Sequence, residues 1–381
     1  MLRAALETPT PDPREIALAR TLGLPDLCVR VLLARGVDTP ELVKGFLRPD
    51  LGSLHDPFAF KDMQKAVERI QVSLRNGDPI LIHGDYDVDG ISGTVLLHKF
   101  LKLLHCNSKP YIPARKDGYS FSAASVKAIK DGGFPVISVD NGTNAIQPIA
   151  ELQNSGIDVI ITDHHGTTEN VADAYAVLNP RLPDAGYPDP NLAGCGVAFK
   201  LIAAIAESLS GTMRHSSEFA DFLIDAMGYI AMGTVADVAP LCGENRTLVF
   251  HGLRSLSLSR NPGIRALMDA AGLQHRGAGV EDIAFRIAPL INAAGRVAHA
   301  NDAVDLLCSL SYTDAQKAAK VLEGHNEARR KVERQLQDEV LQLISGGTGP
   351  AVVLGQDNWH PGVLGIVAAR VAESTAKPVL L

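Results

Sequence analysis

Short apolar runs alternate with longer amphipathic segments from residue 79 onwards. The runs PILIH, FPVISV and IDVIIT have the length and continuity of strands that are covered on both faces. The segments between them, such as SGTVLLHKFLKLL and SAASVKAIKDG, have the composition of crossover helices. This alternation predicts an α/β fold with a mainly parallel sheet flanked by helices.

The regions on either side of this alternation differ from it. Residues 1–75 are predicted to form a helical, polar N-terminal region with frequent prolines, ahead of an α/β domain over 76–310. Residues 311–346 contain no proline and predict a long connecting helix. Residues 347–381 then begin a second α/β unit, which we expect to be incomplete because the chain stops inside the apolar run KPVLL. The apolar stripe predicted for the connecting helix consists of Val321, Ala328, Val332, Leu336, Val340 and Leu343.

Metal-binding types of side chain follow three of the predicted strands. Three aspartates come directly after ILIH, one aspartate ends VISVD, and an aspartate with two histidines ends VIITDHH. Ligands bind beyond the carboxyl ends of the strands in parallel sheets. We therefore expect these side chains to converge at one edge of the sheet. They are Asp85, Asp87, Asp89, Asp140, Asp163, His164 and His165.

The first of these clusters, GDYDVDG, has two other interpretations. A calcium-binding EF-hand loop that starts at Asp85 has its glycine in place at Gly90, but its twelfth position is Leu96 where a glutamate is required. A strand pattern also precedes the loop where an EF-hand has a helix, so this interpretation fails. A polar turn rich in Asp and Gly is the second alternative, and the sequence of the loop alone leaves it open.

Asp237 is a carboxylate in an apolar stretch, GTVADVAPL. It could be a helix cap, or it could be the ligand of a metal, since a buried charge is costly unless it is paired. Aspartates combined with one histidine suit Mn²⁺ or Mg²⁺. Two such ions about 4 Å apart could bind a phosphodiester between them. Asp140, alone at its strand end, is placed to bridge both ions.

Composition, charge and cysteine content exclude only a few classes of protein. The net charge of −7 and the pI of about 5.9 do not indicate a nucleic-acid binder, although bound metals would restore local positive potential. No apolar run is long enough to span a bilayer. Five scattered cysteines without CxxC spacing indicate reduced thiols and a cytoplasmic protein. No phosphate-binding P-loop motif is present, and GCG at 194–196 predicts a tight helix-packing turn.

Taken together, the motifs resemble the DHH phosphoesterase superfamily, and within it the single-strand-specific DNA exonucleases. GDYDVDGISGT, VDNG, DHH and GTVADVAPL resemble the four superfamily motifs. LHDPFAFKDMQKAVERI, YIPARKDGY, LAGCGVAFKL and INAAGR resemble the exonuclease branch. WHPGVLGIVAAR resembles the opening of the accessory DHHA1 domain. The resemblance thus implies a DHH catalytic domain over 76–310 and a DHHA1 domain that begins at 347.

The resemblance also implies roles for individual residues. Asp87 would ligate one ion and Asp140 would bridge the two, with Asp85 and His83 beside the first ion. His165 would contact the scissile phosphate as an acid, and Asp163 would orient the imidazoles. The implied ligands of the second ion are Asp89, His164 and Asp237, and the implied substrate-binding residues are Arg115, Tyr119, Arg296, His360 and Gly362.

Two departures concern the binding of the strand. RKDGYSF is one residue shorter than the usual loop of the family and has Ser120 where glycine is usual. DNGTNA lacks an acidic residue that often follows the second motif. Both departures leave the implied metal ligands intact.

The resemblance implies 5′ to 3′ hydrolysis of single-stranded DNA to 5′-mononucleotides, in DNA repair and recombination. Single-stranded DNA would be the partner, with a helicase and a single-strand-binding protein as candidate partners and no membrane. A phosphatase or nanoRNase that acts on short oligonucleotides is one alternative. A non-catalytic DNA-binding scaffold is another, although such a protein would be expected to lose ligands.

Overall fold

The computed structural model describes residues 13–167, 170–209, 217–274, 276–347 and 349–381. The first twelve residues of the predicted N-terminal region lie outside this range. The rest of that region is helical and has its own small apolar cluster around Leu18, Val29 and Val43. Its helices are Pro13–Leu22, Asp26–Ala34, Pro40–Leu47 and Met63–Asn76, with 3₁₀ turns at Leu51–Ser53 and Pro57–Ala59.

In the described part of the chain, five parallel strands form the central sheet, which confirms the predicted α/β class. The strand order is β2-β1-β3-β4-β5, so that β1, β3 and β4 are neighbours. The short strand β5 was not predicted from the sequence. The strands are β1 (Ile80–His83), β2 (Ser108–Tyr111), β3 (Val136–Val139), β4 (Val159–Thr162) and β5 (Ala176–Leu178).

Alternation of side chains along each strand separates two apolar layers. Ile80, Ile82 and Ile160 belong to the large core on one face. Leu81 and Ile161 belong to a smaller core on the other face. Because both faces are buried, the strands appear in the sequence as continuous apolar runs. The sheet is flanked by the helices Val88–Leu103, Ala123–Gly132, Ile146–Asn154 and Gly194–Ser208.

The chain after the sheet is helical. Ser217–Ala236 is the one helix among the described residues with the length and hydropathy of a membrane span, and most of it is buried in the protein core. It packs against Val88–Leu103 and Gly243–Leu258. Further helical segments are Pro262–Ala270, Val280–Asp282, the π-helical turn Ile283–Ile287, Ala288–Val297 and Asn301–Cys308.

A helix of 32 residues, Tyr312–Leu343, leads to the C-terminal segment. There β6 (Val352–Val353) pairs in parallel with β7 (Val379–Leu380), and the helix Pro361–Thr375 connects them. Val363, Val367 and Val371 of that connecting helix pack on the end of the long helix. The predicted domain boundaries remain predictions.

The stripe predicted for the long helix is partly wrong. Val321 and Leu343 are about half exposed and Ala328 is exposed, whereas Asn326 and Glu333 are buried. Leu322 packs in the large core, whereas Leu336 and Val340 pack with residues of Pro361–Thr375, so the buried face changes along the length of the helix. Polar residues can occupy that face because Glu333 is paired with arginines.

Candidate metal centre

The loop after β1 ends in a helix N-terminus that Asp87 caps. Oδ1 of Asp87 accepts hydrogen bonds from the backbone N–H groups of Asp89 and Gly90, both at 3.0 Å. A side chain at position 90 would place its Cβ 2.6 Å from the backbone nitrogen of Asp85, so only glycine allows this close approach. The aspartate-glycine spacing therefore folds the loop tightly and brings its carboxylates together.

Asp89 points into the protein, towards the N-terminus of the helix Gly194–Ser208. Its two carboxylate oxygens accept hydrogen bonds from the backbone N–H groups of Gly194 and Cys195, at 2.7 and 3.0 Å. A helix N-terminus stabilises negative charge at this place. A Cβ at position 194 would lie 2.7 Å from the Cβ of Asp140, so the tight packing predicted for GCG is also present. Sequence analysis did not predict that the backbone N–H groups of Gly194 and Cys195 donate to Asp89. A glycine at the start of a predicted helix was the feature that could have indicated it.

Asp140 has a strained backbone at the end of β3. Its φ of +63° lies in the left-handed region, which is rare for residues other than glycine and tends to occur at functional sites. Its N–H donates to the carbonyl of Thr162 at 2.8 Å, which ties the turn to β4. Its Oδ1 is buried, has no hydrogen-bond donor among the residues that the structure describes, and lies 3.0 Å from Nε2 of His164. The structure thus directs this carboxylate towards the end of β4.

The end of β4 holds Asp163, His164 and His165. Oδ1 of Asp163 accepts hydrogen bonds from the N–H of His164 at 2.8 Å and from Nδ1 of His165 at 2.8 Å. Its Oδ2 accepts from the N–H of Thr143 at 3.0 Å. Burial acts to raise the pKa of Asp163, but the hydrogen bonds from His165 and Thr143 hold that pKa well below its usual range. The hydrogen bond between Asp163 and Nδ1 of His165 also raises the pKa of His165.

Asp237 follows directly after the last residue of the helix Ser217–Ala236. A carboxylate at a helix C-terminus opposes the helix dipole, so the capping interpretation fails. Its Oδ2 lies 3.7 Å from Nε2 of His164, as does Oδ2 of Asp89. The placement of Asp237 beside His164 therefore needs another explanation than helix capping.

The donor atoms form three groups in the described part of the chain, and within each group they lie within 4.8 Å of one another. Asp140 belongs to two of the groups and His164 to two. The groups are Asp85, Asp87 and Asp140; Asp89, His164 and Asp237; and Asp140, His164 and His165.

The electrostatics of this cluster are those of a cation site. Burial, followed by the charge of Asp87, raises the pKa of Asp85 to about 7. Burial and the charges of Asp89 and Asp87 raise the pKa of Asp237 to about 7. Burial and the other aspartates also raise the pKa of Asp140 well above its usual range. Buried carboxylates that repel one another, with unsatisfied oxygens and an imidazole among them, fit divalent cations such as Mn²⁺ or Mg²⁺.

His83 is absent from these donor groups among the described residues. Its ring stacks on Phe121 with a centroid distance of 4.2 Å, and its Nδ1 lies 3.2 Å from Oδ1 of Asn141. Burial lowers the pKa of His83 to about 4, so the ring is neutral at pH 7. Its Nε2 is buried and has no hydrogen-bond partner in the described ranges of the chain. Phe121 and Asn141 thus hold the ring of His83, and its place beside the first ion stays a prediction.

Tyr119 lies at the mouth of the centre. Its hydroxyl donates to the backbone carbonyl of Asp140 at 3.0 Å and contacts the ring of His165. About half of the Tyr119 side chain is exposed. The next residue, Ser120, has a φ of +67°, which explains why glycine suits this position. The shortened loop therefore keeps a glycine-like conformation with a serine in it.

The other predicted substrate-binding residues meet beside the centre. The Arg115 guanidinium lies over the ring of Tyr86, 4.0 Å from its centroid, and Nε donates to the carbonyl of Gly295 at 3.2 Å. Nη1 of Arg296 donates to the carbonyl of Gly362 at 2.9 Å. Nδ1 of His360 accepts from the N–H of Gly362 at 3.1 Å and caps the helix Pro361–Thr375. These contacts bring the C-terminal segment against the region that holds Arg115.

Comparison with known proteins identifies the family. Residues 79–227 match the model of the DHH family, N-terminal domain. The chain is 34% identical over 380 residues to the single-stranded-DNA-specific exonuclease RecJ of Bacillus subtilis. The matched region covers 98% of this chain and 47% of the relative. The chain thus spans about half the length of this curated relative.

Solved structures give the same result. The fold matches RecJ of Thermus thermophilus in complex with Mn²⁺ with a TM-score of 0.82 at 31% identity, over 96% of this chain and 51% of that chain. It matches a further exonuclease RecJ bound to manganese with a TM-score of 0.75 at 34% identity, over 87% of this chain and 81% of that chain. The chain therefore belongs to the DHH family, on its RecJ branch.

Proposed function

We propose that this chain is a metal-dependent phosphodiesterase that degrades single-stranded DNA from the 5′ end and releases 5′-mononucleotides. The observation that carries the proposal is the convergence of donor atoms from three strand ends and one helix end, with Asp140 shared between two groups. The RecJ relative from Bacillus subtilis is named as a single-stranded-DNA-specific exonuclease, which supports the choice of substrate.

The proposed ligands follow the grouping of the donors. Asp85 and Asp87 would hold one Mn²⁺ or Mg²⁺, with Asp140 as the bridge to a second ion. The second ion would be held by Asp89, His164 and Asp237. When bound, a pair of such ions supplies positive charge to the phosphodiester and acidifies water at neutral pH. The carboxylates of Asp87 and Asp89 are held by backbone N–H groups, so the positions of these two are set before any ion binds.

We propose His165 as the residue that contacts the scissile phosphate and donates a proton. Its Nδ1 is paired with Asp163 at 2.8 Å. Its Nε2 lies 3.3 Å from the Tyr119 hydroxyl, and we propose that this nitrogen faces the substrate when the strand is bound. Asp163 raises the pKa of His165, and a protonated imidazole is both a hydrogen-bond donor and an acid. Around 40% of its side chain is exposed, so a substrate can reach it. Asp163 acts through His165 as a positioning residue.

The 5′ end of the strand is proposed to bind the residues that meet beside the centre. They are Arg115, Tyr119, Arg296, His360 and Gly362. The two arginines are close enough for the charge of Arg115 to lower the pKa of Arg296, after burial. Two neighbouring guanidinium groups attract phosphate, and each can form paired hydrogen bonds to its oxygens. A phosphate held here would direct the first phosphodiester towards the metal centre.

In the cell, the proposed role is in DNA repair and recombination in the cytoplasm. Single-stranded DNA is the proposed partner, with a helicase and a single-strand-binding protein as proposed protein partners. The cysteines are free thiols in the structure, which suits a reducing compartment.

The proposal can be tested with labelled oligonucleotides. We would incubate the purified protein and Mn²⁺ with a single-stranded oligonucleotide that carries a label at either its 5′ or its 3′ end. We expect the 5′-labelled strand to release a labelled mononucleotide at the earliest times. The 3′-labelled strand should instead give a ladder of labelled fragments that shortens gradually. The reverse order of release would reject the polarity.

Two further substrates separate the alternatives. Hydrolysis of dinucleotides without degradation of a 20-mer would favour the nanoRNase. Binding of the strand without hydrolysis in either Mn²⁺ or Mg²⁺ would favour the scaffold. A duplex with blunt ends is the matched control, and it should be degraded much more slowly than the single strand.

A further inference from the structure

A basic groove of about 550 Å³ lies between the long helix and the C-terminal segment, apart from the proposed metal ligands. Four arginines and one glutamate line it, together with Phe285 and Pro289. This composition is unusual for a chain whose net charge is −7. The arginines are Arg329, Arg330, Arg334 and Arg370.

Glu333 fixes two of these arginines. It is buried, and its two carboxylate oxygens pair with Arg329 at 3.0 Å and with Arg370 at 3.3 Å. Arg329 also donates to Oδ1 of Asn326 at 2.8 Å. Since one carboxylate faces four guanidinium groups, the lining keeps a large excess of positive charge. Arg330 and Arg334, one turn apart on the same helix, are exposed to solvent.

Arg329, which lines the groove, is linked to Arg296 beside the proposed site for the 5′ end. The charge of Arg329 acts on Arg296 and contributes, after burial and Arg115, to the lowered pKa of Arg296. Arg296 in turn contacts Gly362 beside the proposed site for the 5′ end. Positive charge therefore extends from Arg115 through Arg296 to Arg329 and the groove.

An aromatic side chain stands at the edge of this groove. Phe285 is 75% exposed, which is unusual for a phenylalanine in a folded protein. It lies in the π-helical turn Ile283–Ile287, and such turns occur frequently at functional sites. The turn presents Phe285 to solvent while Ile283 and Ile287 remain buried. An exposed ring beside arginines offers a stacking surface for an unpaired base.

We infer that this groove is a second strand-binding subsite, at which Arg330, Arg334 and Arg370 contact phosphates of single-stranded DNA and Phe285 stacks on a base. The inference rests on the proposed function and adds a place for the part of the strand away from the cleaved bond. An acidic peptide would also be attracted by the arginines. Single-stranded DNA fits better because it uses the exposed ring and because the positive charge continues to the metal centre.

The test compares two variants with matched controls. Arg330→Ala combined with Arg334→Ala removes two exposed charges from the groove, and Lys317→Ala combined with Lys320→Ala removes two exposed charges from the same helix elsewhere. Phe285→Ala is compared with Phe250→Ala, which alters a half-exposed ring outside the groove, and with Phe285→Trp, which keeps a stacking surface. Binding of a fluorescent oligo(dT) 20-mer is measured by anisotropy in EDTA over a range of salt concentrations, so that no hydrolysis occurs.

The arginine variant should weaken binding of the 20-mer about tenfold, and the slope of log K against log[salt] should fall by about 1.4, since each phosphate contact on a single strand contributes about 0.7. Phe285→Ala should weaken binding about five- to tenfold, and Phe285→Trp should not. In Mn²⁺, the KM for the 20-mer should rise while kcat is unchanged. Hydrolysis of a dinucleotide, which is too short to reach the groove, should be unaffected.

Equal affinities of the groove variants and their controls would overturn the inference and leave the proposed function standing if the wild-type protein still degrades the strand. A wild-type protein that neither binds nor hydrolyses the 20-mer would overturn both. Loss of binding to polyglutamate in the arginine variant, with oligo(dT) binding unchanged, would overturn the inference in favour of an acidic peptide.

Discussion

Oδ1 of Asp140 lies 3.0 Å from Nε2 of His164, and neither atom has a hydrogen-bond partner within the described residues. The two residues end neighbouring strands, and both are buried. Two polar atoms that face each other in this way, with further carboxylates around them, need a cation or a proton between them. This relationship leads to the first prediction.

Replacing Asp140 by Asn should remove the stabilisation of the protein by Mn²⁺. The carboxylate is repelled by Asp89, Asp87 and Asp85, so its neutralisation should raise the free energy of unfolding in EDTA. Metal at 100 times its Kd stabilises a binding protein by about 2.7 kcal/mol, and the variant should lose most of this. Thermal melts with EDTA and with Mn²⁺ measure both effects. Asp131→Asn, at an exposed position, is the control; equal metal stabilisation in all three proteins would contradict the prediction.

His165→Gln should reduce turnover without a comparable loss of metal binding. The imidazole is positioned by Asp163 and has no required place among the proposed ligands. Removal of a general acid lowers kcat by about 10²–10⁴. Single-turnover hydrolysis gives the rate, and a melt with and without Mn²⁺ reports whether the ions still bind. If the variant also lost its stabilisation by Mn²⁺, that result would indicate that His165 is a metal ligand.

Ser120→Gly should stabilise the protein by about 1 kcal/mol, because Ser120 has a φ of +67° and glycine adopts this conformation without a Cβ clash. The buried Oγ of Ser120 also has no hydrogen-bond partner among the described residues. Ser122→Gly, two residues later, is a control with the opposite sign. Ser122 caps the helix Ala123–Gly132 by accepting from the N–H of Ser125, and glycine there should cost a few tenths of a kcal/mol. Urea denaturation of the two variants should give changes of opposite sign.

His98 should make stability depend on pH between about 6.5 and 4. Burial, with the charges of Lys102 and Lys99, lowers the pKa of His98 from 6.5 to about 4, and its Nδ1 lies 2.8 Å from Oγ of Ser108. The unfolded chain therefore binds a proton that the folded protein does not, and stability falls as the pH drops through this window. The contribution lost is up to about 3 kcal/mol.

The measurement for His98 is a series of urea denaturations from pH 7 to pH 4. His98→Gln should lower stability at pH 7 and flatten the dependence on pH relative to wild type. His83 titrates in the same window, but it is present in both proteins and its contribution cancels in the comparison. An unchanged slope in the variant would show that His98 does not contribute to it.

Several features of the fold follow from local sequence patterns. Strands β1, β3 and β4 were predicted because their apolar runs are continuous, which reflects burial on both faces. Strand β5 was missed because three residues carry too little pattern to distinguish it from a loop. The long helix was predicted, but its buried face was not. Apolar spacing alone indicated Val321 and Ala328, whereas contacts with successive neighbours bury Leu322 and Glu333 instead.

In the metal centre, too, some residues could be predicted from local sequence and others could not. Asp85, Asp87, Asp140 and His164 could be grouped in advance, because each follows a strand of one parallel sheet and such strands end at one edge. Asp237 was assigned through motif resemblance, since nothing local shows that a helix end reaches that edge. The place of His83 beside the first ion was also assigned through motif resemblance and stays a prediction; its ring stacks on Phe121.

The amino-acid sequence by itself determined which residue types stand at the ends of the strands, because apolar periodicity and the positions of aspartate and histidine are local properties of the chain. Only the tertiary structure decided the strand order that makes β1, β3 and β4 neighbours, the approach of Gly194 and Asp237 to that edge, and the meeting of Arg296 with Gly362. The physical reason is that these contacts join segments far apart in the chain. Their geometry depends on how whole helices and the sheet pack, which no short stretch of sequence encodes.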